Sequence, residues 1–257
     1  MSTDEQKQDE LAAFEALSER QKAAHGFAWH GDLDDALTED RMRAKGLFQA
    51  YNSYPWPKYF PGFQFSDQFG PEPRQQLLAD LFRIPLAKAK GIAVEPPFYC
   101  DYGYNIEIGD VFYCNMNCVM LDGAKIKFGD RCVLGPGVQV YTTTHSVDVT
   151  ERRGWYDRAY PVTFGSDIWV GGGAIILPGS VIGDGCTIAA GAVVKGTFPS
   201  NSVIGGVPAR VLKTLDTPPA IDQPGGVLGK KDPKLWKLLP GMEGRTTVDR
   251  EGKEDST

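Results

Sequence analysis

The sequence predicts a mainly β protein in which the chain coils through short parallel strands, three strands to each coil. The first observation is a six-residue period, because apolar residues recur at every sixth position from Phe164 to Val194. The second is the glycine or alanine that directly follows four of them, which suits a tight corner. The third is that this period matches neither a single helix nor a hairpin. The apolar positions are Phe164, Val170, Ile176, Ile182, Ile188 and Val194.

Helices are predicted before the coil. Residues 4–24 are polar with apolar side chains at helical spacing, which predicts one amphipathic helix. Residues 34–52 predict a second helix with Thr38 as its N-cap, and residues 74–82 predict a third. Residues 53–73 are rich in proline and aromatic side chains, so we expect an irregular but packed connector there.

The coil itself is predicted to begin near Ile92 and to end near Val207. Polar and charged residues interrupt it over residues 142–161, which we expect to form a projecting loop. The chain therefore divides into four predicted segments: an N-terminal helical extension (1–25), a helical cap (26–90), the coil (91–213) and a partly extended C-terminal tail (214–257).

The composition argues against several classes of function. The formal net charge is −6, so a nucleic-acid partner is not expected, because phosphate contacts need a basic surface. No apolar run approaches the roughly 20 residues of a membrane span, and the polar N-terminus does not resemble a leader. We therefore expect a cytoplasmic protein with no membrane partner. The five cysteines lack the paired Cys/His spacing of a zinc site, so we expect reduced structural thiols and no metal.

Several sequence phrases agree, in order, with a known family. They are Asp101-Tyr-Gly-Tyr-Asn105, Asn115, Val119-Met-Leu-Asp122, Tyr141-Thr-Thr-Thr-His145, Asp167-Ile-Trp-Val-Gly171 and Gly205-Gly-Val-Pro-Ala-Arg210. Over residues 26–213 the chain resembles the maltose, galactoside and nodulation-type O-acetyltransferases of the hexapeptide-repeat superfamily, including their maltose-acetyltransferase cap. The resemblance implies a left-handed parallel β-helix that assembles as a homotrimer with active sites between subunits. It also implies acetyl-CoA as the donor and a sugar as the acceptor.

The resemblance makes His145 the general base. A sugar hydroxyl has a pKa far above neutral, so a base must remove its proton as it attacks a thioester. Histidine suits this role, and direct transfer needs neither an acyl-enzyme nor a metal. Asn115 matches the asparagine that stabilises the transition state and contacts the acceptor. Ser146 stands where the family usually has proline, so the resemblance does not imply a rigid loop here.

Four aspartates are the further candidates for the acceptor site. Asp101 matches a position that contacts the sugar, although an aspartate there could instead cap a corner of the coil. Asp32 aligns with an acceptor-binding aspartate of the cap, and Asp122 lies where the family places acidic residues near the acceptor. Asp157 stands where many members carry glutamate, and it either orients His145 or is a solvated loop acid.

A separate set of residues is predicted to bind CoA. Trp169 is either a wall of the CoA site or a trimer contact, and the Gly172 N–H is the candidate to polarise the thioester carbonyl. Arg210 and Lys213 match a basic pair that contacts the CoA phosphates. The predicted CoA-binding residues are Trp169, Gly172, Ala190, Lys195, Arg210 and Lys213.

Other functions stay open at this point. The same coil also serves xenobiotic and antibiotic acetyltransferases, although the cap favours the sugar branch. A γ-type carbonic anhydrase needs three histidine ligands, and His145 is the single histidine within the predicted coil. A catalytically silent trimeric scaffold would have been favoured by loss of His145 or Asn115, and both are present.

Overall fold

The N-terminal part of the protein is helical. The structure, a computed structural model, describes residues 4–31 and 33–223. Helices α1 (Asp4–Glu15) and α2 (Glu19–Ala24) are separate, because Ser18 starts a new helix by accepting the Gln21 N–H while the Gln21 side chain accepts the Ser18 N–H. The prediction of one helix over residues 4–24 is therefore wrong.

The two long helices of the cap lie where they were predicted. Helix α3 (Asp35–Asn52) is capped by Asp34, whose carboxylate accepts the Leu37 N–H at 3.0 Å. Thr38 therefore lies inside the first turn, and its predicted capping role is wrong. Helix α4 (Glu72–Phe82) begins two residues before the predicted start. The connector contains a 3₁₀ turn (Phe65–Phe69), and the short α5 (Leu86–Ala89) follows α4.

From Ile92 the chain winds through three parallel sheets, taking a strand from each in turn, which confirms the predicted coil. The first sheet holds β1 (Ile92–Val94), β4 (Phe112–Cys114), β7 (Cys132–Leu134), β12 (Trp169–Val170), β15 (Thr187–Ile188) and β18 (Ser202–Gly206). The second sheet holds β2 (Phe98–Cys100), β5 (Cys118–Leu121), β8 (Gln139–Tyr141), β13 (Ile175–Ile176) and β16 (Val193–Val194). The third sheet holds β3 (Ile106–Glu107), β6 (Ile126–Lys127), β11 (Val162–Phe164), β14 (Val181–Ile182) and β17 (Thr197–Phe198).

The turns between sheets stack into corners. We call the column of turns from the first sheet to the second the first corner. The column from the second sheet to the third is the second corner. Because every coil repeats the same path, residues far apart in sequence share a corner, and this arrangement decides which candidate residues meet.

The core is a stack of inward-facing apolar side chains. All six positions of the repeat between Phe164 and Val194 are at most 1% exposed. The rings of Phe128 and Phe164 stack with their centroids 4.5 Å apart. All five cysteines are buried free thiols, as predicted. Side chains of α3 and α4, such as Tyr51 and Leu78, belong to the same apolar cluster, so the cap and the coil share one core.

The interruption of the coil is an ordered loop. It contains β9 (Thr143–Thr144), α6 (Val149–Arg153) and β10 (Arg158–Ala159), with β9 and β10 paired antiparallel at its base. The Arg158 guanidinium contacts both oxygens of the Glu151 carboxylate, at 2.7 and 3.1 Å. A two-bond pair of this kind fixes the orientation of α6 against the base of the loop.

The last strand reverses direction. After Val207 and Pro208 the chain forms β19 (Ala209–Thr214), which pairs antiparallel with β18. The predicted extended tail continues past residue 223, and residues 224–257 lie outside the described residues. Among the helices that the structure describes, none is long and apolar enough to cross a membrane.

Candidate active site

His145 lies on the projecting loop, which leaves the coil at the second corner directly after β8. Its Nδ1 is 3.4 Å from Asp157 Oδ1 and 3.3 Å from the Tyr156 carbonyl oxygen. The side chain is 60% exposed. A ring whose Nδ1 faces oxygen acceptors holds its proton on that nitrogen, so Nε2 carries the lone pair. The arrangement suits a base that takes a proton from a solvent-side ligand.

The cap fixes the position of Asp157. The Trp29 N–H donates to the Asp157 carbonyl at 3.1 Å, and the Asp157 N–H donates to the Trp29 carbonyl at 2.8 Å. Trp29 is only 1% exposed, so this backbone pair is anchored in the molecule. The cap therefore holds the carboxylate that faces His145, a link that neither segment's sequence predicts.

Asp101 lies at the same corner, directly after β2, and is half-buried. Burial raises the pKa of its carboxyl group, while the Arg41 charge lowers that pKa and the Asp157 charge raises it further. Arg41 belongs to α3, and its Nη2 donates to the Tyr102 hydroxyl at 3.1 Å. Arg41 is a site residue that sequence analysis missed, because it lies in a charge-rich stretch of helix with no distinguishing pattern.

Asp122 does not face the acceptor. Its side chain is fully buried, and its carboxylate accepts the backbone N–H groups of Asp101 at 3.0 Å and Tyr102 at 2.9 Å. Asn105 N–H is a third donor at 3.3 Å. Burial raises the pKa of Asp122 to about 7. A side chain with no exposed surface cannot contact a sugar, so the prediction for Asp122 is contradicted. Its contacts instead hold the turn that carries Asp101.

Asn115 lies at the first corner, directly after β4. Its Oδ1 accepts the Met116 N–H at 2.8 Å, which fixes the orientation of the amide and leaves Nδ2 as a donor. Within the described part of the chain, no acceptor for Nδ2 is found. The side chain can thus donate to a group outside this chain.

The first corner also carries backbone donors. The N–H groups of Gly172 and Ala190 lie in the column of Asn115, and neither donates to an acceptor among the described residues. The column is tightly packed: a Cβ on Gly135 would lie 2.7 Å from the Gly172 nitrogen, and one on Gly171 would lie 2.5 Å from the Ala190 nitrogen. Glycine is required at both positions because no side chain fits there.

The other predicted CoA-binding residues divide between two places. Trp169 is 56% exposed on the outer side of the first sheet, in register with Val133 and Thr187. Arg210 and Lys213 are exposed on β19, at the end of that same sheet. Lys195 is exposed at the second corner, directly after β16. The second sheet therefore separates Lys195 from the rest of the set.

Within one chain the candidates form two groups. His145, Asp101 and Asp157 lie at the second corner, and Asn115, Gly172 and Ala190 lie at the first corner. Strands β5 and β8 between these corners have four and three residues. At about 3.3 Å per residue they span about 10–13 Å. Asp32, the remaining candidate, lies outside the described residues.

Comparison with known protein sequences identifies the family of the chain. A family described as "Bacterial transferase hexapeptide (six repeats)" matches residues 161–196. The galactoside O-acetyltransferase of Escherichia coli is 32% identical over 200 residues, which cover 78% of this chain and 90% of that protein. A Saccharomyces cerevisiae protein named as an acetyltransferase, YJL218W, is 49% identical over 122 residues. These residues cover 48% of this chain and 62% of that protein's length.

Solved structures give the same result. A maltose O-acetyltransferase from Clostridium difficile matches with a TM-score of 0.69 and 35% identity, over 79% of this chain and 100% of that one. A hexapeptide-repeat acetyltransferase from Vibrio cholerae, solved with acetyl coenzyme A, matches with a TM-score of 0.65 and 32% identity, over 78% of this chain and 100% of that one. The chain therefore belongs to the hexapeptide-repeat acetyltransferases: it is an acetyltransferase built on a left-handed parallel β-helix.

Proposed function

We propose that the protein transfers the acetyl group of acetyl-CoA to a hydroxyl group of a sugar, with His145 as the general base. The observation that carries this proposal is the contact of His145 Nδ1 with Asp157 Oδ1 at 3.4 Å on an exposed loop. It leaves Nε2 free to accept the proton of an incoming hydroxyl. The relatives named for maltose and galactoside acetylation support the same acceptor class.

The acetyl group can pass directly from CoA to the sugar, without an acyl-enzyme. His145 Nε2 takes the hydroxyl proton while the sugar oxygen bonds to the thioester carbon. Asn115 Nδ2 and the Gly172 N–H donate to the oxygen that becomes negative in the tetrahedral intermediate. When that intermediate collapses, the carbon–sulfur bond breaks and the imidazolium returns its proton to the CoA sulfur. Asp157 stabilises the imidazolium between these two steps.

In this proposal, the sugar acceptor binds at the second corner. Asp101 is half-buried and its carboxylate can accept hydrogen bonds from sugar hydroxyls, while Arg41 supplies donors beside it. Asp32 of the cap is a further proposed acceptor contact. Hydrogen-bond donors and acceptors side by side are what a polyhydroxylated ligand requires. Asp122 acts indirectly, by holding the backbone of Asp101 and Tyr102.

In this proposal, the acetyl donor, acetyl-CoA, binds at the first corner. Trp169 would form a wall for the pantetheine arm, and the Gly172 and Ala190 N–H groups would face it along the corner. Arg210 and Lys213 would contact the CoA phosphates. Lys195 lies at the other corner, so it would reach CoA bound to a neighbouring copy.

A complete site then requires two copies of the chain. The base and the transition-state donor of one chain lie at different corners, separated by the roughly 10–13 Å of the second sheet. A hydroxyl and a thioester must approach to about 3 Å to react. We propose a homotrimer in which the second corner of one protomer faces the first corner of the next, so that a neighbouring Asn115 completes each site.

The first test is acetyl-CoA-dependent thiol release with maltose, glucose, galactosides and chitooligosaccharides. We expect turnover with at least one of them and a loss of about 10²- to 10⁴-fold in His145→Ala. His25→Ala is the matched control, because His25 is an exposed histidine of the N-terminal region that stacks on Phe27. Equal turnover in His145→Ala and the wild type would refute the assigned base. No release with any acceptor, together with no CoA binding, would favour the scaffold.

A further inference from the structure

Trp155 is the most exposed tryptophan side chain of the described residues, at 81%. It also has a φ of +58°, in the left-handed region that bulky residues rarely adopt. A large apolar side chain in solvent, on a backbone conformation that glycine would adopt without strain, gains little from packing within the chain to offset that strain. Strained exposed residues of this kind cluster at ligand sites.

The loop holds the backbone of Trp155 in a defined place. The Trp155 N–H donates to the Arg152 carbonyl at 3.0 Å. The Arg152 Nη1 in turn donates to the carbonyls of Ser146 and Val147, both at 2.8 Å. Together with the Arg158–Glu151 pair, these contacts tie the turn that carries Trp155 to both ends of α6. The backbone that carries the indole is therefore an ordered turn.

Trp155 is also close to the reacting groups. The next residue, Tyr156, places its carbonyl oxygen 3.3 Å from His145 Nδ1, and Asp157 follows with its carboxylate. Consecutive Cα atoms are about 3.8 Å apart, so the indole begins one residue from the wall of the acceptor site. Trp155 is thus the residue that precedes the two residues in contact with His145.

We propose that Trp155 forms an outer acceptor subsite that stacks on a second sugar ring, so that the enzyme prefers di- and oligosaccharides to monosaccharides. This inference rests on the proposed function, because it assumes that a saccharide binds beside His145. One face of a pyranose ring presents mostly C–H groups, and an exposed indole offers a flat apolar surface of matching kind. The ring that is acetylated lies against Asp101 and His145, and the next ring lies against Trp155.

The experiment compares acceptors of different length in Trp155 variants. We expect Trp155→Gly to lower kcat/KM about tenfold for maltotriose or a chitooligosaccharide and less than about twofold for glucose. Trp155→Phe, which keeps an aromatic ring, should retain most of the preference for longer acceptors. Val147→Ala is the matched control, because Val147 is 97% exposed on the same loop and is not assigned to the subsite.

Two outcomes would overturn the inference while leaving the proposed function intact. One is an equal loss for long and short acceptors in Trp155→Gly. The other is dissociation of the oligomer in sedimentation velocity, which would show that the indole packs against another copy. A wild-type enzyme that acetylates no saccharide would instead defeat the proposed function, and the subsite with it.

Discussion

At the scale of single residues, the residues of the candidate site are held in place by hydrogen bonds to neighbours that are themselves buried. Asp157 faces His145 because a backbone pair with Trp29 holds it, and Asp101 is presented by a turn that Asp122 holds. The family resemblance pointed to His145, Asp101 and Asp157, which the structure brings to one corner. Those phrases could not distinguish the buried Asp122 from an exposed ligand, because burial depends on how the coils stack.

Asp157 is predicted to act as a positioning residue. Asp157→Asn removes the charge that stabilises the imidazolium but keeps the shape of the side chain and the backbone pair with Trp29. We therefore expect kcat to fall at least about tenfold with little change in KM, and we expect Asp157→Glu to recover part of the loss. Steady-state kinetics of the two variants checks this. A rise in KM at unchanged kcat would show that Asp157 only binds the acceptor.

Asp122 is predicted to make stability depend on pH. Its pKa is about 7 in the folded protein and lower in the unfolded chain, so folding takes up a proton between these values. The contribution of this group to stability is greatest below its unfolded pKa and declines as pH rises to about 7. Asp122→Asn removes this decline. Thermal unfolding of both proteins between pH 4 and 8 should show the wild type losing stability relative to the variant as pH rises. Parallel curves would contradict the assignment.

At the scale of elements, the six-residue period was sufficient to predict the coil, because each inward position must be apolar and each corner must be small. The start at Ile92 and the interruption at residues 142–161 followed from where that period begins and breaks. The helices were less well predicted. A capping box at Ser18 divided what periodicity alone reads as one helix, and Asp34 was a better cap than Thr38. Apolar periodicity does not report caps, although the spacing of Ser18 and Gln21 is itself a signature of a helix start.

The glycine column of the first corner is predicted to be essential for the coil. In Gly171→Ala the new Cβ would lie 2.5 Å from the Ala190 nitrogen, so the neighbouring coil must shift. We expect the free energy of unfolding to fall by about 1–3 kcal/mol. Gly46→Ala, within α3, is the control, because among the described residues nothing beyond the backbone of its own helix lies within 4 Å of the Cβ that alanine would add. That change should instead stabilise the protein by up to about 1 kcal/mol. Chemical denaturation of both variants tests the pair, and equal effects would contradict the packing argument.

At the scale of the whole molecule, the candidate residues of one chain lie in two groups that the fold does not bring together. One group lies at the second corner and the other at the first corner, with the second sheet between them. The second-corner group is His145, Asp101 and Asp157, and the first-corner group is Asn115, Gly172 and Ala190. The sequence alone could not show this, because the position of a residue on the coil depends on strand and corner lengths that vary along the chain. Under the proposed function, this separation makes an assembly of several copies part of the mechanism.

The measurement that tests this account most directly is complementation between two inactive variants. His145→Ala and Asn115→Ala would each be purified, shown to be inactive and of unchanged oligomeric state, then unfolded and refolded together in equal amounts. If each site takes its base from one protomer and Asn115 from the next, one of the three sites in every mixed trimer combines two intact residues. Such sites are about a quarter of all sites in the refolded mixture, and a comparable fraction of wild-type activity should return. If His145 and Asn115 of the same chain act together, every site lacks one of them, and a mixture as inactive as its components would contradict the account.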